Sequence, residues 1–375
     1  MMRSQTKHVL CLFVPLMALC VRLPVCFAQA GQPATSSASS TTLTVNVKVV
    51  TLPVTVRDKK GQIVTNLTKD DFTLMEDGRP QTIKYFSLDT DLPLTLGLLV
   101  DTSGSMRNAL DQEKTSSKSF LNQMLVKPQD QAFLIHFDRE VELLEDLTNA
   151  KEKLASALDD LGPTRVSDTS DSGQEGDRSM HRGGTQLYDA IFLASDELMK
   201  KQQGRKALIV LSDGKDRGSK ETLHSAIEAA QRANTVVYTI YFQGEQPHDF
   251  GNRGGGYGRP RIGMGGGWPG GGGYPGGGGY PGGRGGQHPA EGPQVDGKKI
   301  MIQIAQETGG RMYEAKKKEN FDQIYSAIAE DLRSQYMLGY TPDKFSADGS
   351  YHKITLTAKK KDLFVQTRDG YYADK

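Results

Sequence analysis

The feature that most constrains this chain is an apolar run, Leu94 to Val100, that stops abruptly at Asp101-Thr102-Ser103-Gly104-Ser105. The run is too short to cross a bilayer, which takes about 20 residues. It has no polar alternation, so it predicts a strand buried on both faces, as in a parallel sheet covered by helices. After Met106 the apolar residues Ala109, Leu110, Phe120, Leu121, Met124 and Leu125 recur at a helical period. The order is therefore strand, tight polar loop, helix. In an open α/β sheet such a loop falls at the carboxyl end of a strand, where ligands bind.

The loop offers Asp101, Ser103 and Ser105 at alternate positions. Oxygen-only donors suit a hard cation such as Mg²⁺, which takes roughly six oxygens at about 2.0–2.1 Å. Gly104 lets the backbone turn tightly enough for both hydroxyls to face one point. Hydroxyl ligands are neutral, and a helix amino end nearby adds positive potential, so a cation held there still attracts an outside carboxylate. The plainer reading is that Ser103 or Ser105 caps the following helix. Two later segments bear on the choice. Gly183-Gly184-Thr185 precedes a helix with Leu187, Ala190, Ile191, Ala194 and Leu198 on one face, and the apolar strand Lys206 to Leu211 ends in Ser212-Asp213-Gly214. Alone, Thr185 reads as a helix cap and Asp213 as a turn residue. Together, all are expected at one rim of one sheet.

These three segments, DTSGS at 101–105, GGT at 183–185 and LSDG at 211–214, resemble the von Willebrand factor type A domain. The resemblance implies a Rossmann-like, doubly wound, mostly parallel α/β sheet with a metal-ion-dependent adhesion site. On that pattern Ser103 and Ser105 bind the metal directly, Thr185 does so directly or through water, and Asp101 and Asp213 hold metal-bound waters. The implied ion is Mg²⁺, with Mn²⁺ or Ca²⁺ as alternatives. The implied partner is a protein presenting an Asp or Glu carboxylate. The likeness runs from Pro93 to about Ser334. Phe72, Leu74 and Glu76-Asp77-Gly78 more weakly resemble the β segment that precedes this domain in exported bacterial relatives.

Other function classes find less support. The formal net charge of +1 gives no basic excess for nucleic acid. Lys316–Lys318 and Lys359–Lys361 read as solvated faces. A serine hydrolase elbow would need G-x-S-x-G, which 102–105 is not. The histidines show no H-x-H or H-x-x-x-H spacing, so zinc catalysis is unsupported. Asp168, Ser170, Ser172 and Gly173 faintly imitate a calcium loop, but Ser179 stands at the closing position. The favoured expectation is a non-enzymatic adhesion or binding module. The alternatives are an envelope structural protein whose metal only stabilises the loop and, behind it, a hydrolase.

The chain is expected to divide as follows. Residues 1–30 read as a signal peptide: Arg3 and Lys7 precede the apolar run Val9 to Val21, and Ala28-Gln29-Ala30 spaces small residues for cleavage. An uncleaved anchor helix is disfavoured by Pro15 and Pro24. Export to the periplasm or the exterior follows, with no membrane span after cleavage. Cys11, Cys20 and Cys26 all lie in this segment, leaving no disulfide framework beyond it. Residues 31–42 form a polar leader, 43–90 an amino-terminal β segment, 91–334 the α/β domain and 335–375 a carboxyl-terminal β segment. Expected within these are a return strand at Gln62 to Val64, a helix from Ser219 to Ala233 and an edge strand from Arg311 to Tyr313. A Gly-rich insertion at 244–297, with Tyr-Pro-Gly units around Trp268, Tyr274 and Tyr280, is too poor in apolar surface to order itself. It reads as a spacer or as an adhesive arm carrying Arg253, Arg259, Arg261 and Arg284. The two β segments are expected to pair in one β-sandwich or, failing that, to leave a separate terminal hairpin. Tyr351, Tyr371 and Tyr372 read as packing residues.

Overall fold

The computed structural model describes residues 49–88, 92–162, 184–243, 296–315, 321–344 and 347–373. They all belong to one unit of the chain, Val47–Lys375. The expected signal peptide, the leader, the polar loop at 164–182 and nearly all of the Gly-rich insertion lie outside the described residues.

The described residues open with four strands, β1 (Val50–Arg57), β2 (Phe72–Glu76), β3 (Arg79–Gln81) and β4 (Ile83–Ser87). Asp77 and Gly78 turn β2 into β3 with φ of 49° and 78°, the left-handed pair that a two-residue hairpin turn requires. Then comes β5 (Leu94–Asp101), every residue of which is buried. The α/β region continues as α1 (Arg107–Met124), β6 (Gln131–Phe137), β7 (Val141–Thr148), α2 (Lys151–Asp159), α3 (Leu187–Leu193), β8 (Arg205–Ser212), α4 (Leu223–Arg232), β9 (Val236–Phe242), α5 (Gly297–Thr308), β10 (Met312–Ala315) and α6 (Phe321–Arg333). The chain closes with β11 (Tyr336–Tyr340), β12 (Tyr351–Ala358), β13 (Phe364–Gln366) and β14 (Gly370–Tyr372).

Six strands form the central sheet in the order β10-β9-β8-β5-β6-β7, all parallel except the edge strand β7, which runs antiparallel to β6. Alternate residues of β5 go to opposite faces. Leu94, Leu96, Leu98 and Val100 pack with α1, α2 and α6, whereas Leu99 lies on the face of α3, α4 and α5. Full burial of one such leucine contributes about 1.5–3 kcal/mol. Gly97 sits in this wall because nothing larger fits: an added Cβ would lie 2.4 Å from Phe133 and 2.5 Å from Leu208. The chain leaves β5 toward β6 on one side and later returns to β8 on the other. The carboxyl ends of β5 and β8 therefore flank the crevice where strand order reverses, the usual ligand position in such sheets.

Two four-stranded antiparallel sheets, β13-β1-β11-β4 and β14-β12-β2-β3, complete the architecture. Each combines strands from before and after the α/β region. They share one core that includes Leu52, Val54, Phe72, Leu74, Tyr336, Leu338, Ile354 and Leu356. The α/β domain is thus inserted into a sandwich, with buried Asp331 of α6 ion-paired to Arg57 of β1.

Several expected elements differ in detail. The return strand at Gln62 to Val64 is only a bridge between Arg57 and Ile63, because the Tyr336 hydroxyl takes the Val64 carbonyl at 3.0 Å. The helix expected from Ser219 begins at Leu223, where Thr222 and Ser225 form a capping box; Ser219 is drawn off to the amides of Tyr188 and Asp189, each at 3.2 Å. Gly297, expected at the end of the insertion, already opens α5 behind the cap residue Asp296. The helix from Leu187 passes into a π turn at Ala194–Leu198. The edge strand near Arg311 runs Met312–Ala315, and β14 was not anticipated. Tyr371 is buried, while Tyr351 is 42 % exposed. Among the described residues no helix is long and apolar enough to cross a membrane.

Candidate metal centre

The carboxyl end of β5 places Asp101 fully inside the protein. One carboxylate oxygen accepts from the Ser103 amide at 2.9 Å and the other from the Ser212 hydroxyl, at the end of β8, at 2.7 Å. These two bonds tie the first loop to its neighbouring strand. Ser212 Oγ in turn accepts from the Gly214 amide at 3.0 Å. The next residues tighten into a 3₁₀ turn, Gly104–Met106, anchored by the buried Met106. Ser103 stands at the cap position of that turn, but its side chain makes no capping hydrogen bond. Instead Ser103 Oγ meets Ser105 Oγ at 3.2 Å. The capping reading of this loop is therefore not what the side chains do.

Asp213 follows Ser212 directly. It accepts from the Lys215 amide at 3.1 Å and pairs with Lys215 Nζ at 3.0 Å. Gly214 has φ of 72°, and its backbone lies so close to Gly297 that an added Cβ would sit 2.1 Å from the Gly297 oxygen. The Asp213 loop is thus wedged against the start of α5, where the chain returns from the Gly-rich insertion. Thr185 is not a helix cap. It pairs with Arg217 through two backbone bonds, 3.1 and 2.8 Å, while the Gln186 amide bonds the Asp138 carbonyl at 2.9 Å. The Thr185 segment is therefore strapped between the loop that bears Asp213 and the carboxyl end of β6.

Charge at this rim is only partly compensated by the protein. Burial pushes the Asp101 carboxyl up to about 6; the bonds from Ser103 and Ser212 oppose that push, and the charge of Asp213 adds to it. A cation would relieve this cost, since an opposite charge nearby favours the ionised form. The donors, two carboxylates and three hydroxyl side chains, are all oxygen and fit a hard dication. Ser103, Ser105 and Thr185 are the residues that would hold it, with Asp101 and Asp213 behind them.

Three further residues take part. Ser212, in the sequence only the end of an apolar strand, orients Asp101 through its hydroxyl. Lys215 neutralises Asp213 and has no sequence signal beyond its spacing. Asp138, almost fully buried at the end of β6, also stands at the rim; an acidic residue directly after an apolar strand was the available cue. His136 approaches Thr102 Oγ1 at 3.4 Å, but its ring nitrogens bond the Gly162 carbonyl and Glu142, not either serine of the loop. His224 contacts the Tyr372 hydroxyl.

Residues 96–215 match the family model of the von Willebrand factor type A domain. No curated protein matches the chain. Among solved structures it is similar to proximal thread matrix protein 1 from the mussel byssus, at 13% identity and a TM-score of 0.42, with 68% of this chain and 49% of that one covered. The match spans about half the length of the mussel protein. It is also similar to BatB from Bacteroides thetaiotaomicron, at 16% identity, TM-score 0.41, and 64% and 97% coverage. A third likeness is to the vWF domain of the type V pili tip protein Mfa5 from Porphyromonas gingivalis, at 12% identity, TM-score 0.40, and 64% and 95% coverage. The family match falls on β5 to β8 and on both loops of the rim, and so this chain carries a von Willebrand factor type A domain, set within a β-sandwich.

Proposed function

We propose that the chain is an exported, non-enzymatic binding module that captures a carboxylate of a protein partner through a divalent cation at the sheet rim. The observation that supports this best is the meeting of Ser103 Oγ and Ser105 Oγ, 3.2 Å apart, at the crevice between β5 and β8, with neither spent on capping. Bound there, Mg²⁺ would supply a positive charge that neutral hydroxyls leave largely uncompensated, and so an attraction for an outside Asp or Glu. The protein's own residues prepare the place. Asp101 fixes the loop by bonding Ser103 and Ser212. The Thr185–Arg217 pairing holds the second loop in register. Lys215 neutralises Asp213 when no ion is present.

Among the described residues no hydrogen bond joins an imidazole to Ser103 or Ser105; the ring of His136, beside Thr102 of the loop, bonds the Gly162 carbonyl and Glu142. The rival reading, an envelope structural protein whose ion only stiffens the loop, separates from ours by experiment. Pull-down from envelope extract should succeed with the native chain, fail in EDTA, and fail with Ser103→Ala while the melting temperature stays within a few degrees. Capture that survives EDTA and Ser103→Ala, with a large loss of thermal stability instead, would favour the structural role.

A further inference from the structure

A second cluster of metal-ligating side chains lies in the sandwich, apart from the rim. Glu76 ends β2, Asp77 begins the turn after it, and His352 stands on β12, the strand paired with β2. Glu76, Asp77 and His352 each offer one ligand atom, and these atoms lie within 4.8 Å of one another.

What distinguishes the cluster from a surface ion pair is how the other atoms of these side chains are used. The second oxygen of Glu76 is held by the hydroxyls of Tyr340, at 2.5 Å, and Tyr371, at 3.3 Å. The second oxygen of Asp77 accepts from the Lys353 amide at 2.9 Å. The Nε2 of His352 bonds the Ser350 hydroxyl at 3.1 Å, and its ring stacks on Tyr371. Each side chain is thus fixed by its far atom while its near atom converges on one point, the arrangement of ligands oriented by outer partners. One of the near atoms has no hydrogen bond: Glu76 Oε1 is fully buried without a partner at bonding distance. The Arg79 guanidinium and His352 Nδ1 are both 4.0 Å away. A buried carboxylate oxygen with no hydrogen bond, and only those two contacts at 4.0 Å, bears a desolvation cost.

From this geometry we infer that Glu76 Oε1, Asp77 Oδ2 and His352 Nδ1 form a binding site for a first-row transition dication, with Zn²⁺ as the fitting ion. Two carboxylates and an imidazole suit such ions better than Mg²⁺ or Ca²⁺, which prefer oxygen alone. Three protein ligands leave room for water, since Asp77 is 37 % exposed. The ion would take the place of the hydrogen bond between Asp77 Oδ2 and His352 Nδ1, now 2.9 Å apart, beside the Arg79 guanidinium 3.7 Å from Asp77. Its structural effect is a clip between the amino-terminal turn and a carboxyl-terminal strand. Ligands that far apart in sequence gain most from closure.

The test is zinc titration of the full chain by calorimetry, with an anomalous difference map from zinc-soaked crystals. His352→Ala should lose one zinc equivalent, while Ser103→Ala keeps that equivalent whether or not the rim also binds zinc. The map needs no variant and should show a peak between Glu76, Asp77 and His352. Equal stoichiometry with and without His352, or a map with no peak at that point, would overturn the proposal and leave a salt-bridge cluster balanced by Arg79.

Discussion

The rim of the α/β sheet and the flank of the sandwich gather charged side chains by opposite means. At the rim, two parallel strands, β5 and β8, end side by side, so residues remote in sequence meet because their strands stop at the same height. The donors there stand on loops and are mostly hydroxyls. In the sandwich, an antiparallel ladder sets β12 against β2 in fixed register, with Ile354 opposite Glu76. The donors there are carboxylates and an imidazole, clamped by tyrosines and by backbone. Parallel topology thus brings oxygen donors together in a crevice between two strand ends. Antiparallel register yields a rigid clip suited to internal cross-linking.

Three substitutions sharpen this contrast. The largest effect is expected from Gly97→Val, which drives a side chain into Phe133 and Leu208 where β5, β6 and β8 touch. Overpacking there should cost about 3 kcal/mol, read as a fall in the thermal midpoint. A neutral result would mean that this wall does not set the height at which the strands end.

A comparable effect with a pH signature is expected at Glu113 of α1. Its carboxylate is fully buried against α6, with the Tyr325 and Ser117 hydroxyls on one oxygen and the other oxygen unpartnered. Burial pushes this carboxyl up to about 7 against those hydrogen bonds, from an ordinary value of 4.5. Because the folded-state value is the higher one, the stabilisation is fully present below about pH 4.5 and is lost as the pH rises through about 7, a change of roughly 3 kcal/mol. Glu113→Gln should remove most of that decline between pH 5 and 8 in denaturant titrations. An unchanged pH profile would show that the charge is compensated elsewhere.

The smallest effect is expected from Lys215→Met. Removing the cation that pairs with Asp213 should strengthen Mg²⁺ binding at the rim by about tenfold or less, as expected for a partly exposed charge. Weaker binding would indicate that Lys215 positions Asp213 instead of competing for it.

The contrast also explains what could be read from the sequence. Apolar runs ending in Asp101 and in Ser212-Asp213 declare buried parallel strands and their loops, because a two-faced strand has one possible environment. The doubly wound sheet was legible for that reason. The pairing partners of the β segments were less so, since alternation fixes a face and not a neighbour; β14 escaped for that reason, and the return strand expected at Gln62 to Val64 shrank to a bridge at Ile63. In the sequence, Glu76-Asp77-Gly78 carries only a weak resemblance to a β segment. That Glu76 is buried and faces His352 depends on a register set by Leu74 and Leu356 in the core, which no local pattern encodes. Ser212 was hidden similarly, for its bond to Asp101 is made only once β8 is seated beside β5; Lys215 contacts Asp213 locally, but a lysine two residues on from an aspartate in a loop has many possible uses.

The central claim is a hard dication held by serine hydroxyls at the crevice mouth. The most direct measurement is a high-resolution map of crystals soaked in Mg²⁺, with Mn²⁺ for its anomalous signal. The account predicts a peak at about 2.0–2.2 Å from Ser103 Oγ and Ser105 Oγ, with an open or water-filled position facing solvent. Two serine hydroxyls still bonded to each other, with nothing between them and Asp213, would contradict it.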